Sequence, residues 1–485
     1  MAICVNESME YKLSRLPFAK RINRVLYSPY FLIALAAVAL LSNVLELELL
    51  MYVFACVLML YSGIFGTDFR LLIPLFVYCY ITPSVGNNPG MNETTVFSAG
   101  SGGVLILVMA GLAVLCFSVR CAVDKEIGFV KLKKRPAFLW GLLVLGAAFF
   151  LSGVGSEGYK SVAGQNLVFA AVQFAAFLVP YLCVCMGVRW DEITGTYLAA
   201  TGLLAGLVAG LEILNVYRIM DVIRPDGSVS RSNIFLGWGN YNNVAVVIAM
   251  AVPFAFYFVY KGKHVVLSNA LAALLCVMAV TTCSRAGILG TCGIYLFCAV
   301  VVVLGARDKH AKISALVGAL LAMGVLIAGY FLMREFLEAA FEAGLESNER
   351  IELYKAGLNS FAQHPVFGFS FFRLNALVAA GGEGSWIFSS VSEFNAFFPG
   401  RWHNTVVQLL ASCGIAGLLA YAFHRYQTVR FLLRRPNAVK TFTAISIGAL
   451  LALSMVDSHL FNVGPTLFYS CALAFIENVR AEELA

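Results

Sequence analysis

Residues 401–417 read RWHNTVVQLLASCGIAG. An arginine, a tryptophan and a histidine stand at the mouth of an apolar run punctuated by small residues. A run of this kind is continuous on all faces rather than striped, which is the mark of a helix buried in a membrane rather than one lying on a soluble core. The rest of the chain agrees. Of 485 residues, 60% are hydrophobic and 13% charged, with a mean hydropathy of +0.82. Soluble globular domains carry about 25% charged residues, so the composition predicts an all-α polytopic membrane protein.

A bilayer core of about 30 Å takes about 20 apolar residues in helix. Counting such runs predicts spans at 29–46, 48–65, 70–84, 102–119, 137–154, 167–188, 196–215, 241–260, 265–283, 286–305, 313–332, 404–423, 441–457 and 461–478, with the third and thirteenth short enough to be re-entrant. The expectation is therefore about 12 to 14 transmembrane helices. Lys12, Arg15, Lys20, Arg21 and Arg24 precede the first run, which has no small-residue cleavage site and reads as an uncleaved span. With the N-terminus placed inside, the loops alternate in Lys and Arg content, and most of the 34 basic residues fall on the inner side. The layout predicted is a cytoplasmic tail at 1–28, a bundle of about eleven spans at 29–332, an extracytoplasmic loop at 333–403, further spans at 404–478 and a cytoplasmic tail at 479–485.

The thirteen cysteines lie mostly in or at the ends of apolar runs, where they act as small hydrophobes, and no Cys/His spacing for zinc occurs. The outer face carries no Asp-x-Asp clamp, so neither a metal nor another cofactor is expected. Orientation does not ask for the basic residues left outside: Lys160, Arg218, Arg224, Arg231, Arg285, Arg334, Arg350, Lys355, Arg373 and Arg401. Arg285 sits between two apolar runs in TTCSRAGILG, and an arginine at such a place costs several kcal/mol unless paired; its planar fork suits phosphate oxygens. Arg231 opens RSNIFLGWGNYNNVA, whose glycines and asparagines suit a tight turn ending in a helix cap. Arg350 lies in the outer loop, where Phe336, Leu337, Ala340, Phe341, Leu345 and then Ile351, Tyr354, Leu358 and Phe361 recur at helical spacing, predicting two amphipathic helices on the membrane surface. Asn404 can cap the helix that follows it, which sets His403 at a helix N-terminus whose dipole favours the neutral ring, able to accept a proton. Gly414 and Gly417, with Ala411 and Ala420, read as a close-packing helix surface. An outer face rich in guanidinium groups beside apolar helices suits an anionic headgroup on a lipid tail.

These segments resemble the bacterial O-antigen ligases and O-antigen polymerases. The ligase pattern of His, then Asn, Ser or Gln, nine residues and Gly-x-x-Gly is met by His403, Asn404, TVVQLLASC, Gly414 and Gly417; the final Gly, Thr or Tyr is replaced by Ala420, with Tyr421 one further on. SRAG at 284–287, the segment from Arg231 and HPVFGFSFF from His364 resemble the family's outer-loop motifs in the family's order. The resemblance implies a GT-C type fold and a glycosyltransferase of the plasma membrane. It implies transfer or polymerisation of a glycan from undecaprenyl diphosphate to a glycan or lipid acceptor, at an extracytoplasmic site, without nucleic acid. Carried over, it makes His403, Arg285 and Arg231 catalytic, Arg231 and Arg285 holding the diphosphate and His403 assisting the acceptor hydroxyl. Arg350, Asn404 and Arg401 are the expected further substrate contacts. Ligase and polymerase share the donor and differ in the acceptor. The rival from another class is a secondary transporter or flippase, which places ionisable residues near mid-membrane, often within inverted repeats; here the charges gather at one surface.

Overall fold

The computed structural model describes residues 12–84, 111–112, 114–122, 137–157, 159–188, 192–223, 229–230, 233–332, 349–372, 402–434 and 436–478. Its helices are α1 (Pro17–Leu26), α2 (Pro29–Val44), α3 (Glu48–Phe65), α4 (Leu72–Ile81), α5 (Leu139–Phe150), α6 (Tyr159–Gly187) and α7 (Glu192–Ile219). After a hairpin of β1 (Phe235–Leu236) and β2 (Gly239–Asn240) come α8 (Tyr241–Tyr260), α9 (Val265–Thr281), α10 (Arg285–Gly305), α11 (Lys309–Leu332), α12 (Glu349–Gln363), α13 (Thr405–Leu432), α14 (Ala438–Leu453) and α15 (Val463–Asn478). The protein is an all-α polytopic membrane protein, and all of these helices but α1 and α12 fall on the apolar runs read from the sequence. Most of the run at 102–119 lies outside the described residues.

Length separates the helices. Among the described residues, six are long and apolar enough to cross a membrane: α3, α6, α7, α8, α10 and α13; a seventh forms if α1 and α2, bent by 67°, are one span. The apolar helices α4, α5, α9, α14 and α15 have 10–17 residues, and at 1.5 Å per residue they fall short of a 30 Å core. One of them, α15, is buried over almost its whole length against α6. The segment predicted as the N-terminal tail contains a helix, α1. Ala19, Asn23 and Leu26 face inward while Phe18, Ile22 and Val25 are exposed beside Lys20, Arg21 and Arg24. Ten residues with that much charge give no span signal, so hydropathy passes over the helix.

The bundle is built around α8. Nearly every one of its residues is buried, and α7, α9, α10 and α14 pack against it. Close approach of α7 depends on Gly202 and Gly206 against α8 and on Gly210 against Met278 of α9, spaced four apart so that they share one face. A β-carbon at Gly206 would lie 2.3 Å from the Ala251 Cβ, and one at Gly202 would lie 2.4 Å from the Phe254 ring. The hairpin that carries the chain from α7 to α8 is held from below: the buried Glu212 of α7 accepts a 2.8 Å bond from Trp238 Nε1, and Tyr80 Oη donates to the Trp238 carbonyl at 2.9 Å.

Gly206→Leu should therefore force α7 from α8 and cost about 1–3 kcal/mol, read as a lower melting temperature in detergent. Gly164→Leu on α6 is the control, since nothing lies within 4 Å of a β-carbon there, and it should leave the melting temperature unchanged.

Candidate active site

His403 is the residue just outside the cap of α13. Asn404 Oδ1 accepts from Val406 N at 2.8 Å and Val407 N at 3.2 Å, as the cap reading expected. Its Nδ2 donates to the Met455 carbonyl at 2.8 Å, so both polar atoms of Asn404 tie backbone to backbone. His403 has φ +50°, a left-handed conformation uncommon outside glycine. Tyr354 of α12 holds it there by donating to the His403 carbonyl at 3.1 Å, and burial pushes the Tyr354 phenol up from its ordinary range, keeping it a donor. Trp402 turns away from the surface: with Leu353, Val407 and Ala411 it forms a small buried cluster that clamps α12 onto α13.

The partner of His403 is Asp457. Nδ1 of the ring is 3.2 Å from Asp457 Oδ1, the histidine side chain being 32% exposed and the carboxylate 5%. Asp457 Oδ1 also accepts from Ser458 N at 2.7 Å, and Oδ2 from Asn242 Nδ2 at 3.4 Å. Asn242 Oδ1 in turn accepts from Ser284 Oγ at 2.7 Å, and Ser284 caps α10 by accepting from Gly287 N at 3.1 Å. One chain of bonds thus runs from His403 through the residues after α14 and the start of α8 to the residue beside Arg285. A carboxylate on Nδ1 fixes the tautomer with its proton there and leaves Nε2 as the acceptor.

Arg285, Arg350, Asp457 and His459 line one end of a cavity of about 1260 Å³. Arg350 is braced by a bond from Nη1 to the Val456 carbonyl at 3.3 Å. His459 is buried, with Nδ1 3.1 Å from Asn243 Oδ1. From this polar end the cavity descends between α10 and α14 past Leu289, Ile294, Phe297 and Val301 to Leu432 and Leu433, where Lys440, over the Phe431 ring, also lines it. Arg285 to Val301 is sixteen residues of helix, about 24 Å. Four of the six residues expected at the site lie together here: Arg285 and Arg350 on the wall, His403 joined through Asp457, and Asn404 capping beside them. Arg231 and Arg401 lie outside the described residues. Asp457, Asn242 and His459 were not among the expected site residues. Asn242 stands in the segment read as a turn and cap; Asn240 is the cap, accepting from Asn242 N and Asn243 N, and Asn242 is turned to the carboxylate.

Gly414 corrects another expectation. It is not part of a helix-packing surface but a break in α13, with φ +64° and ψ −159°, a region open essentially to glycine alone. Residues 365–370 fill the break. Ile415 N donates to the Pro365 carbonyl at 2.8 Å and Ala416 N to Val366 at 3.2 Å, while Phe369 N and Ser370 N donate to Ala411 and Ser412 at 2.7 and 3.2 Å.

A polytopic helical membrane protein with a histidine–carboxylate pair and arginines at the head of a deep apolar groove is the class that fold and site define. A family model described as O-antigen ligase matches residues 270–422, from α9 through α13, and so includes Arg285, Arg350, His403 and Asn404. This supports placing the chain in the O-antigen ligase and polymerase superfamily. No curated protein matches it.

Gly414→Val would set a side chain 2.5 Å from the Val366 carbonyl group in a backbone state closed to it. The expected result is a loss of about 1–3 kcal/mol together with faster proteolysis between α12 and α13; wild-type melting and cleavage would mean that the break does not hold the loop.

Proposed function

We propose that the protein is a glycosyltransferase that takes a glycan from a lipid diphosphate, undecaprenyl diphosphate in the family it resembles, and passes it to a hydroxyl on a second glycan or glycolipid at the outer membrane face. The observation that carries this reading is one continuous cavity, with Arg285 and Arg350 at one end and mainly apolar side chains between α10 and α14 down to Leu432, Leu433 and Lys440. Its volume exceeds the 300–1,000 Å³ of drug-sized pockets, as a headgroup with a long tail requires. The diphosphate would lie against Arg285 and Arg350, with Arg231 added by resemblance, and the tail between α10 and α14.

In the proposed step, His403 Nε2 accepts the proton of the acceptor hydroxyl as its oxygen bonds to the anomeric carbon. The carbon–oxygen bond to the diphosphate breaks on the opposite side, inverting the centre, and its electron pair leaves on the diphosphate. The guanidinium groups stabilise the negative charge that develops there. Asp457 keeps Nδ1 protonated and stabilises the imidazolium that forms, the part a carboxylate plays in histidine-based acid–base catalysis. The excess of Lys and Arg in the loops at the other end of the bundle supports an outward-facing site.

Purified protein in liposomes with a radiolabelled glycan on undecaprenyl diphosphate tests this. Release of the lipid diphosphate with a ladder of products identifies a polymerase, and single transfer that requires an acceptor identifies a ligase. His403→Ala should lose about 10²–10⁴ in rate, and Arg285→Ala should lose transfer as well. A donor left untouched with every acceptor offered, and variants that behave as wild type, would overturn the catalytic reading in favour of transport. The groove has its own test. Nothing lies within 4 Å of a β-carbon at Gly293 or Gly448, both in the cavity wall, so Gly293→Phe and Gly448→Phe should fold normally yet occupy the tail's place. Displacing two methylenes at about 0.8 kcal/mol each is worth roughly tenfold in affinity; a donor KM unchanged in both variants would remove the tail from this groove.

A further inference from the structure

We infer that a second cavity at the same end of the bundle is a glycan-binding subsite, an inference that rests on the transfer reading above. The cavity, of about 370 Å³, lies among the ends of α2 and α7 and the residues that follow α4, and Asn43, Glu46, Ser84, Asn215, Arg218 and Leu236 line it. It is a built site. Asn43, 3% exposed, donates from Nδ2 to the carbonyls of Thr82 and Pro83 at 3.2 and 3.0 Å. Arg218 donates from Nε and Nη2 to Asn215 Oδ1 at 3.0 and 2.9 Å, which fixes the guanidinium plane against the amide. Ser84 donates from both N and Oγ to Glu48 Oε1. Glu46, also in the lining, closes α2 with φ +58°, Leu47 N donating to the Ser42 carbonyl at 2.7 Å across it.

The chemistry selects the ligand. Glu46 and Arg218 carry opposite charges and are not paired with each other, so the lining is polar but balanced, unlike the cationic head of the groove. Carboxylate, amide, hydroxyl and guanidinium groups together offer donors and acceptors side by side, which matches vicinal hydroxyls, each both donor and acceptor. An anion would find Glu46 opposing it, and Val44, Leu45, Val216, Ile219 and Leu236 give the lining apolar surface for the C–H faces of a sugar ring. The place also fits. Leu236 lines this cavity and Tyr241 lines the groove, with the hairpin between them. Five residues of chain span at most about 18 Å, and the antiparallel pairing of Phe235 with Asn240 brings the two sites closer still. A short oligosaccharide whose reacting end is at His403 can reach Glu46 and Arg218. Its source is either the acceptor or the donor's own glycan.

The test uses the full-length protein in nanodiscs and a fluorescently labelled, lipid-free oligosaccharide released by mild acid from the surface polysaccharide of the cells that make it. Anisotropy should show saturable binding to wild type and to Gly448→Phe, and at least tenfold weaker binding to the double variant Glu46→Gln/Arg218→Gln with an unchanged melting temperature. No binding to wild type, or equal binding to the double variant, overturns the inference. In the liposome assay, a higher KM for acceptor alone assigns the subsite to the acceptor, and a higher KM for donor alone assigns it to the donor's glycan; neither rising overturns it. A wild-type protein that turns over no donor sinks the transfer reading, while the anisotropy still decides whether the cavity binds glycan.

Discussion

Backbone groups inside a bilayer have no water to bond with, so a helix that breaks there must find other partners at once. The break in α13 at Gly414 meets that constraint with the loop at 365–370, and much of the site's geometry follows from it. Four backbone bonds join the loop to α13 on both sides of the break. The same loop reaches α5 and α6: Gly153 N donates to the Phe367 carbonyl at 2.7 Å, and Asn166 Oδ1 accepts from Ser370 Oγ and Phe371 N. Since the loop directly follows α12, anchoring it fixes where α12 ends. That helix then presents Trp402 with its pocket, His403 with the Tyr354 hydroxyl, and the groove with Arg350.

The bonds around Asp457 serve a different purpose. His403, Asn242 and Ser284 each begin or precede a different helix, and none is near another in sequence. Asp457 is the point at which they meet, and it is nearly buried, so its charge is worth more there than in water. A buried carboxylate left without partners would cost several kcal/mol. Here it accepts from Ser458 N, faces Asn242 Nδ2 and has an imidazole on its remaining side. The polar network is therefore bought into a largely apolar bundle by satisfying its most expensive member.

The sequence made the bundle helices legible because each depends on a local property, the length and continuity of an apolar run, which α1 lacks. It also marked Asn404, whose capping bonds reach only two and three residues ahead. The site was legible where one residue had to bear an unusual cost by itself, as Arg285 does between two apolar runs. What stayed hidden was pairing across distance. Asp457 is fifty-four residues from His403, and nothing in its neighbours distinguishes it from any carboxylate at a helix end. Gly414 was misread for the same reason: Gly-x-x-Gly in an apolar helix is the pattern of close packing, and only the presence of residues 365–370 turns the first glycine into a break. The amphipathic period around Ile351 and Tyr354 did predict α12, but not that Tyr354 would spend its hydroxyl on His403.

The groove shows how the same small residues serve opposite ends. On α7, Gly202 and Gly206 let α8 come so close that no β-carbon fits, and Gly210 does the same for Met278 of α9. On α10 and α14, Gly293 and Gly448 meet nothing and line the groove, although the two helices touch where a β-carbon at Gly290 would lie 2.8 Å from the Leu453 side chain. Between helices in a membrane there is little hydrophobic gain to draw such faces together, because lipid tails are as apolar as the side chains. A small-residue face that no helix covers is therefore stable as a trough that a lipid tail can fill at little cost. That is why a long apolar groove can persist beside Arg285 without collapsing, while the polar cavity beneath Leu236 is held open by the bonds of Asn43, Ser84 and Arg218 instead.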